Sequence, residues 1–314
     1  MAFRKIRHES VSIIKSVANS WSEDKISLLA ASLAYYTMFS IAPLLIISIA
    51  VAGFIFGKDA SRGNIFQAIQ GLVGTQGAAA IQTMVQSASA AKHTGVIAAI
   101  IGFITLALGA SGVFLQLQDA LNSIWHVMQD PKRGWASTIR QRLLSFAMVG
   151  AIAFLLLVSL LISAAIAAAG HFVSEKIPGG ESIWHLAQFG LTFLITTLLF
   201  AMVFKILPDA KIKWKATWLG SAVTSFLFSL GKTIIGLYLG KSAFASAYGA
   251  AGSLVIVLVW LYYSAIIFFV GAEFTKFSMS SLGYKIEPKL GAVLLKTQIL
   301  KDPPVPLEQI QRAS

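Results

Sequence analysis

The sequence contains no cysteine, which excludes disulfides, thiolate metal sites and sulfur nucleophiles, and leaves redox compartment unread from this residue. Charge is also scarce. Only 12% of the 314 residues are Asp, Glu, Lys or Arg, about half the quarter expected of soluble domains, and acids are outnumbered 13 to 25. Five histidines, His8, His93, His126, His171 and His185, are scattered without a His-x-x-x-His pair. A zinc or two-metal site therefore lacks ligands. No P-loop and no Gly-x-Ser-x-Gly occurs, which excludes an ATPase or an esterase elbow of the usual kind within this chain.

What fills the space is apolar: 56% of residues are hydrophobic, and the few charges are clustered. Charge-free stretches occupy 26–57, 93–118, 143–174, 182–204 and 242–272, and a sixth, 216–240, is interrupted only by Lys232. Each is long enough to cross a bilayer once as a helix, the form in which a chain satisfies its own backbone in hydrocarbon. The expected fold is an all-α polytopic membrane bundle of about six spans, near 33–57, 94–117, 143–169, 185–205, 216–239 and 251–273. All but six of the 25 basic residues, the six being Lys58, Arg62, Lys92, Lys176, Lys232 and Lys241, fall on one side of such a bundle. The positive-inside bias makes that side cytoplasmic, with both termini there.

Residues 1–27 read as a cytoplasmic amphipathic segment. In it Phe3, Ile6, Ile13, Val17 and Trp21 alternate with bases at near-helical spacing, as in a helix lying in the interface. The longest outer loop, 58–92, carries Ile65, Phe66, Ile69, Ile81, Met84 and Val85, which predict short amphipathic helices on the outer surface. After the membrane domain, 28–276, the tail 277–314 contains four prolines and loses periodicity, so its last part is expected to be disordered.

Ionisable residues at or inside spans mark candidate sites, because a bilayer penalises an unpaired charge. Glu273, Asp119 and Lys205 each end a charge-free run near the inner boundary, where they can meet as a buried polar or gating group together with Asn122. For Glu273 a local pair with Lys276 at i+3 stays open as the simpler reading. Lys232 lies about eight residues, roughly 12 Å, from the outer end of its span. One reading has it snorkel to the surface; the other sets it with Ser229 and Thr233 in an outward cavity that meets an anionic headgroup, with Tyr248 in the turn 248–252 at the mouth. Pro43 breaks the first span, and the pairs Gly53 and Gly57, and Gly236 and Gly240, have the small-xxx-small spacing of packed helices.

Trp260, Leu261 and Tyr262 through Gly271, Ala272 and Glu273, preceded by Tyr248, Gly249 and Ala250, form a pattern that also includes Ser32 to Tyr36, Leu121 to Trp125, and Leu207 with Pro208. Over about 21–276 the chain resembles the YihY/BrkB family of bacterial inner-membrane proteins. The resemblance implies a six-span bundle with both ends inside, in agreement with the charge count. It also brings two labels, ribonuclease BN and virulence or serum resistance. Absent clustered metal ligands argue against the first, so neither enzymatic activity nor nucleic acid is expected. The family's association with lipid or lipopolysaccharide-precursor movement implies membrane lipids as partners, along with an envelope lipid-transfer protein or a second copy of the chain, and no cofactor. Two rival readings are a proton-coupled small-solute transporter using Glu273 and Asp119, and a scaffold that transports nothing.

Overall fold

A computed structural model of the chain describes residues 15–56, 66, 70, 78–79, 81–86, 112–130, 180–241 and 252–295. In chain order these form α1 (Lys15–Glu23), α2 (Ile26–Phe56), α3 (112–124), β1 (Val127–Gln129), α4 (Gly180–Ile206), α5 (Trp214–Lys241), α6 (Gly252–Ser281) and β2 (Ala292–Leu294). The long helices are not strongly amphipathic; apolar residues run round their whole circumference, the pattern of helices surrounded by lipid and one another. Within them, Phe189–Ile206, Trp214–Ile235 and Leu254–Ser281 are each long and apolar enough to cross a membrane. A fourth apolar stretch combines Lys15–Glu23 with Ile26–Ala42 across a 67° bend. The chain is an all-α membrane bundle. Of the other two expected spans, 143–169 lies outside the described residues, and only 112–117 of the stretch 94–117 is described, within α3.

α5 and α6 make the closest contact in the bundle, and glycine is the reason. A Cβ on Gly220 would overlap the Thr275 side chain, and one on Gly271 would overlap Thr224. The two helices thus interlock reciprocally, each laying a Gly-x-x-x-Thr turn on the other. Neither threonine leaves its hydroxyl unpaired: Thr224 Oγ1 donates to the Gly220 carbonyl at 2.6 Å and Thr275 Oγ1 to the Gly271 carbonyl at 2.8 Å. About two turns further along α5, Gly231 accommodates Tyr263 and Ile267. α4 joins through aromatic rings. Phe204 and Phe268 lie 4.9 Å apart, and Phe200 contacts both Phe228 of α5 and Phe268 of α6 at 5.7 and 5.9 Å.

Several elements differ from the sequence-based expectation. Helix α2 continues through position 43 to Phe56 as one element, so the proline does not end it. Residues 81–86 are helical as expected, but Ile81 and Val85 are buried against Ala34, Ala42, Val257 and Leu261 instead of lying on an outer surface. The final helix runs to Ser281, eight residues beyond the expected end of its span, which carries Glu273 and Lys276 inside the helix. Gly283, at φ 78°, then closes it with a left-handed cap: Tyr284 N–H donates to the Met279 carbonyl and Gly283 N–H to that of Ser280. The first part of the tail is ordered. β2 pairs antiparallel with β1, with Met128 opposite Val293, and Lys211 and Lys289 N–H groups bond the backbone of Glu287 and Asp209 across the other edge. Residues 296–314 lie outside the described set.

The interlock predicts an asymmetry among glycines. Gly271→Ala or Gly220→Ala is expected to destabilise the purified protein by about 1–3 kcal/mol, the usual cost of overpacking. Gly190→Ala in α4, where a Cβ meets nothing within 4 Å, is expected to be neutral or stabilising by up to about 1 kcal/mol from helix propensity. Thermal unfolding in detergent compares them.

Candidate functional site at the basic end of the bundle

The segments that the charge count assigns to the inner side meet at one end of the bundle. There Asp24, between α1 and α2, accepts two contacts: Lys276 Nζ on Oδ2 at 2.8 Å and His126 Nε2 on Oδ1 at 2.9 Å. Lys276 also faces Glu273 Oε2 at 3.3 Å. Glu273 is fully buried and Lys276 nearly so, while half of the His126 side chain is open to solvent. The i+3 pair read from sequence therefore exists, but it is part of a four-residue cluster joining the α1–α2 bend, the end of α3 and α6. Burial alone would raise the Asp24 carboxyl. The contacts with Glu273, His126 and Lys276, and the Lys276 charge, outweigh it and hold the group down from 3.8 to about 2. Two of the backbone positions here are left-handed without being glycine: Lys25 at φ 52° and His126 at φ 51°. Such conformations cost about 1–2 kcal/mol each for an ordinary residue. Both adjoin Asp24, one by sequence and one by hydrogen bond.

A second polar node lies beside it. Asp209, after α4, receives the Asn122 amide on Oδ2 at 2.9 Å and donates its own backbone N–H to Asn122 Oδ1 at 2.8 Å. Gln118 and Gln129 approach the same carboxylate oxygen at 3.3 and 3.5 Å. Asn122 thus serves as a clamp between α3 and the α4–α5 connection. Lys205 does not join Glu273; its ammonium donates to the Ile212 carbonyl and stands 5.5 Å over the Trp214 ring. Asp119 is exposed on α3, where the Asp209 carboxylate acts on it electrostatically. Beside this node opens a cavity of about 620 Å³ bounded by the end of α4, the 210–213 connection and the 283–289 tail. Lys232 and Thr233 are exposed on α5, and Ser229 is half-buried. Tyr248 lies outside the described residues, as does the side chain of Pro43. Asp24, His126 and Asp209 were not singled out from sequence. Their partners stand 102, 252 and 87 residues away, so only the fold assembles them.

Among the described residues no group of three or more His, Asp or Glu side chains is arranged to hold a metal ion. In the buried cluster the Lys276 ammonium occupies the place between two carboxylates that a cation would take. The sequence matches the family described as virulence factor BrkB over residues 17–289, most of the chain. The chain belongs to the BrkB family. It is similar to a UPF0761 membrane protein of Verminephrobacter eiseniae, 26% identical over 264 residues that cover 82% of this chain and 60% of that one. A Pseudomonas aeruginosa UPF0761 membrane protein is 26% identical over 84% of this chain and 62% of its own length, and one from Vibrio cholerae is 28% identical over 81% and 82%. The chain thus spans about three fifths of the length of the first two relatives. No solved structure matches. Every residue of both polar nodes, from Asp24 to Lys289, falls within the stretch matched to BrkB. The relatives' names say membrane protein and assign no activity.

The two nodes of this BrkB protein make separable predictions. Asp24→Asn leaves Lys276 and Glu273 with a weaker partner and is expected to cost roughly 3 kcal/mol, the scale for breaking a buried ion pair. Because the Asp24 carboxyl is lower in the folded state, its stabilisation is complete above pH 3.8 and disappears as pH falls towards 2. Melting curves taken across that window should show an acid-dependent component in the wild type that Asp24→Asn lacks. Asn122→Ala removes both bonds to Asp209 and should cost about 2–3 kcal/mol, one bond being to a charged group, without altering the acid profile of Asp24.

Proposed function

We propose that the protein assists the movement or handover of an anionic lipid or lipid precursor across or out of the bacterial inner membrane. The observation that carries this reading is a set of buried polar side chains inside an otherwise apolar bundle: Thr217, Ser221, Thr224 and Ser225 on α5, with Glu273 and Thr275 on α6. The threonines are satisfied by their own helices. The Ser221 and Ser225 hydroxyls make no hydrogen bond among the described residues, while Glu273 is engaged by Lys276 at 3.3 Å and by Asp24. Unused hydrogen-bonding capacity in an apolar medium is costly unless a polar group meets it. The outer faces of α4 and α5, where Phe189, Leu194, Leu219, Phe226, Leu230 and Ile234 are exposed, suit acyl chains. An amphipathic cargo needs both surfaces. In this reading the Asp24–Lys276–Glu273 cluster closes the basic end between transfers, and Lys232 meets headgroups from the other side.

The test is inter-leaflet movement in proteoliposomes. Fluorescently labelled phosphatidylglycerol is quenched from outside by dithionite; the wild type should accelerate its equilibration over protein-free vesicles, while Glu273→Gln and Lys232→Ala should slow it. Equal rates with and without protein would sink the proposal. The complete burial of Glu273 specifically favours a second reading, proton-coupled transport of a small solute. That reading expects an encapsulated pH dye to report protein-dependent proton flux that Glu273→Gln abolishes, with no effect on labelled lipid.

A further inference from the structure

The cavity beside Asp209 has a strongly basic lining. Lys205, Lys211, Lys213, Lys285 and Lys289 surround it, and the lining holds one carboxylate, Glu287. Glu287 is already engaged, at 3.4 Å, by Lys211 on the exposed rim. The other four lysines form no ion pair with a described residue. Two of them are held in place by neutral carbonyls: Lys205 donates to Ile212 O, and Lys289 donates to Ile206 O at 2.9 Å. A carbonyl satisfies the hydrogen-bonding need of an ammonium without cancelling its charge, so the positive potential of the cavity is retained. Burial pushes the Lys289 ammonium down, with Asp209 opposing and, more weakly, Lys205 reinforcing. Helix α5 also begins at this wall, just after Lys213, and the positive end of its dipole adds to the same field.

The surroundings specify the setting. Ile206, Trp214 and Trp218, where α4 ends and α5 starts, are exposed, and Lys213 stands 5.7 Å over the ring of Tyr284 on the opposite wall. Tryptophan and tyrosine at the end of apolar helices mark the headgroup level of a bilayer. We infer that this cavity is a binding site for a phosphate-bearing anion, reached from the headgroup level of the membrane on the basic side of the bundle. The phosphate oxygens take the lysines as donors, Lys205 and Lys289 at the back and Lys213 and Lys285 at the mouth. The exposed Ile206, Trp214 and Trp218 give an attached acyl chain an apolar path out of the cavity. As part of lipid handover the site rests on the reading above; as a phosphate site it stands on its own geometry.

Binding is tested on the full chain in detergent offered equal phosphatidylglycerol and phosphatidylcholine, with retained lipid identified by native mass spectrometry. The wild type should retain phosphatidylglycerol in preference. The exposed-lysine variant Lys213→Gln/Lys285→Gln should lose that preference by roughly tenfold or more, the scale for two lysines beside an anionic headgroup. Lys213→Arg/Lys285→Arg should keep it. Inorganic phosphate at millimolar concentration distinguishes the source. Displacement of lipid and a thermal shift absent from the glutamine variant would identify free phosphate as a ligand, and no displacement would identify the lipid headgroup. Equal retention of both lipids without a phosphate-dependent shift, or unchanged preference in a folded glutamine variant, overturns the inference. The same variants in the dithionite assay separate the two proposals. Lost binding with undiminished transfer keeps the site but takes it out of the handover path, unchanged binding with slowed transfer keeps the handover reading and removes the site, and equal transfer with and without protein removes the handover reading alone.

Discussion

The reciprocal seating of Thr275 on Gly220 and Thr224 on Gly271 fixes the register of the two helices on which everything else is hung. Lipid tails are as apolar as leucine, so hydrophobicity does little to drive one membrane helix against another. Close approach and satisfied polar groups must do it instead. Here the same four residues supply both, because each threonine fills the groove left by a missing Cβ and returns its hydroxyl to the carbonyl of its own helix's glycine. Glu273 stands between Gly271 and Thr275 in sequence, so the register that seats the threonine also sets where the carboxylate is buried. A slip along the seam would carry Glu273 and Lys276 away from Asp24 and separate Phe268 from Phe200 and Phe204.

Much of the architecture was legible because the membrane imposes a coarse code. Runs without charge foretold α2, α4, α5 and α6, and the bias of lysine and arginine foretold which ends gather. What failed to show was anything set by contact across the chain. Gly53 with Gly57 and Gly236 with Gly240 carry the familiar small-residue spacing, yet the described interlock uses Gly220 and Gly271, each seating a threonine of the other helix that lies four residues after that helix's own glycine. A Gly-x-x-x-Thr pair on each of two helices was a usable signal, though nothing in one helix alone says which other helix answers it. The end of α6 was set too early because a charge was taken as a boundary. Lys276 is buried between Glu273 and Asp24, so the helix carries Glu273 and Lys276 without exposing either to lipid. Only the last portion of the tail was read as disordered, and residues 296–314 lie outside the described set; in the described part Pro288 lies at a bridge to Ala210 where its neighbours Glu287 and Lys289 carry the hydrogen bonds, a place that asks no N–H of it.

The site was legible only in part, for the same reason. Glu273, Asp119, Lys205 and Asn122 were named together as a buried polar or gating group; Glu273 and Asn122 are buried in different nodes, Lys205 lines the cavity beside the second, and Asp119 is exposed. Lysines 205, 211, 213, 285 and 289 were counted for topology, as charge that keeps a loop from crossing. Their concentration round one cavity adds a second consequence to the same residues. Charge that is merely topological has no reason to converge, since exposed lysines on short loops gain by spreading into water. Convergence against self-repulsion has to be offset by the fold, and the ribbon of β1 with β2 and the backbone bonds of Lys211 and Lys289 are what hold the tail in place to offset it.

The strained positions belong to the same balance. Lys25 and His126 occupy a region of backbone space that glycine would enter more cheaply, and each is held there by what Asp24 holds: the residue after it turns α1 through 67° into α2, and the imidazole opposite closes its second oxygen. Strain of this kind persists only where surrounding contacts over-determine it. The ion cluster therefore does more than neutralise Glu273. It keeps a bent joint closed at the end of the bundle where the basic cavity opens, and because His126 is half exposed while Glu273 is sealed, the joint is the one part of the cluster that solvent can reach. A change of partner at Asp24 would therefore disturb the bend and the surroundings of the buried carboxylate together.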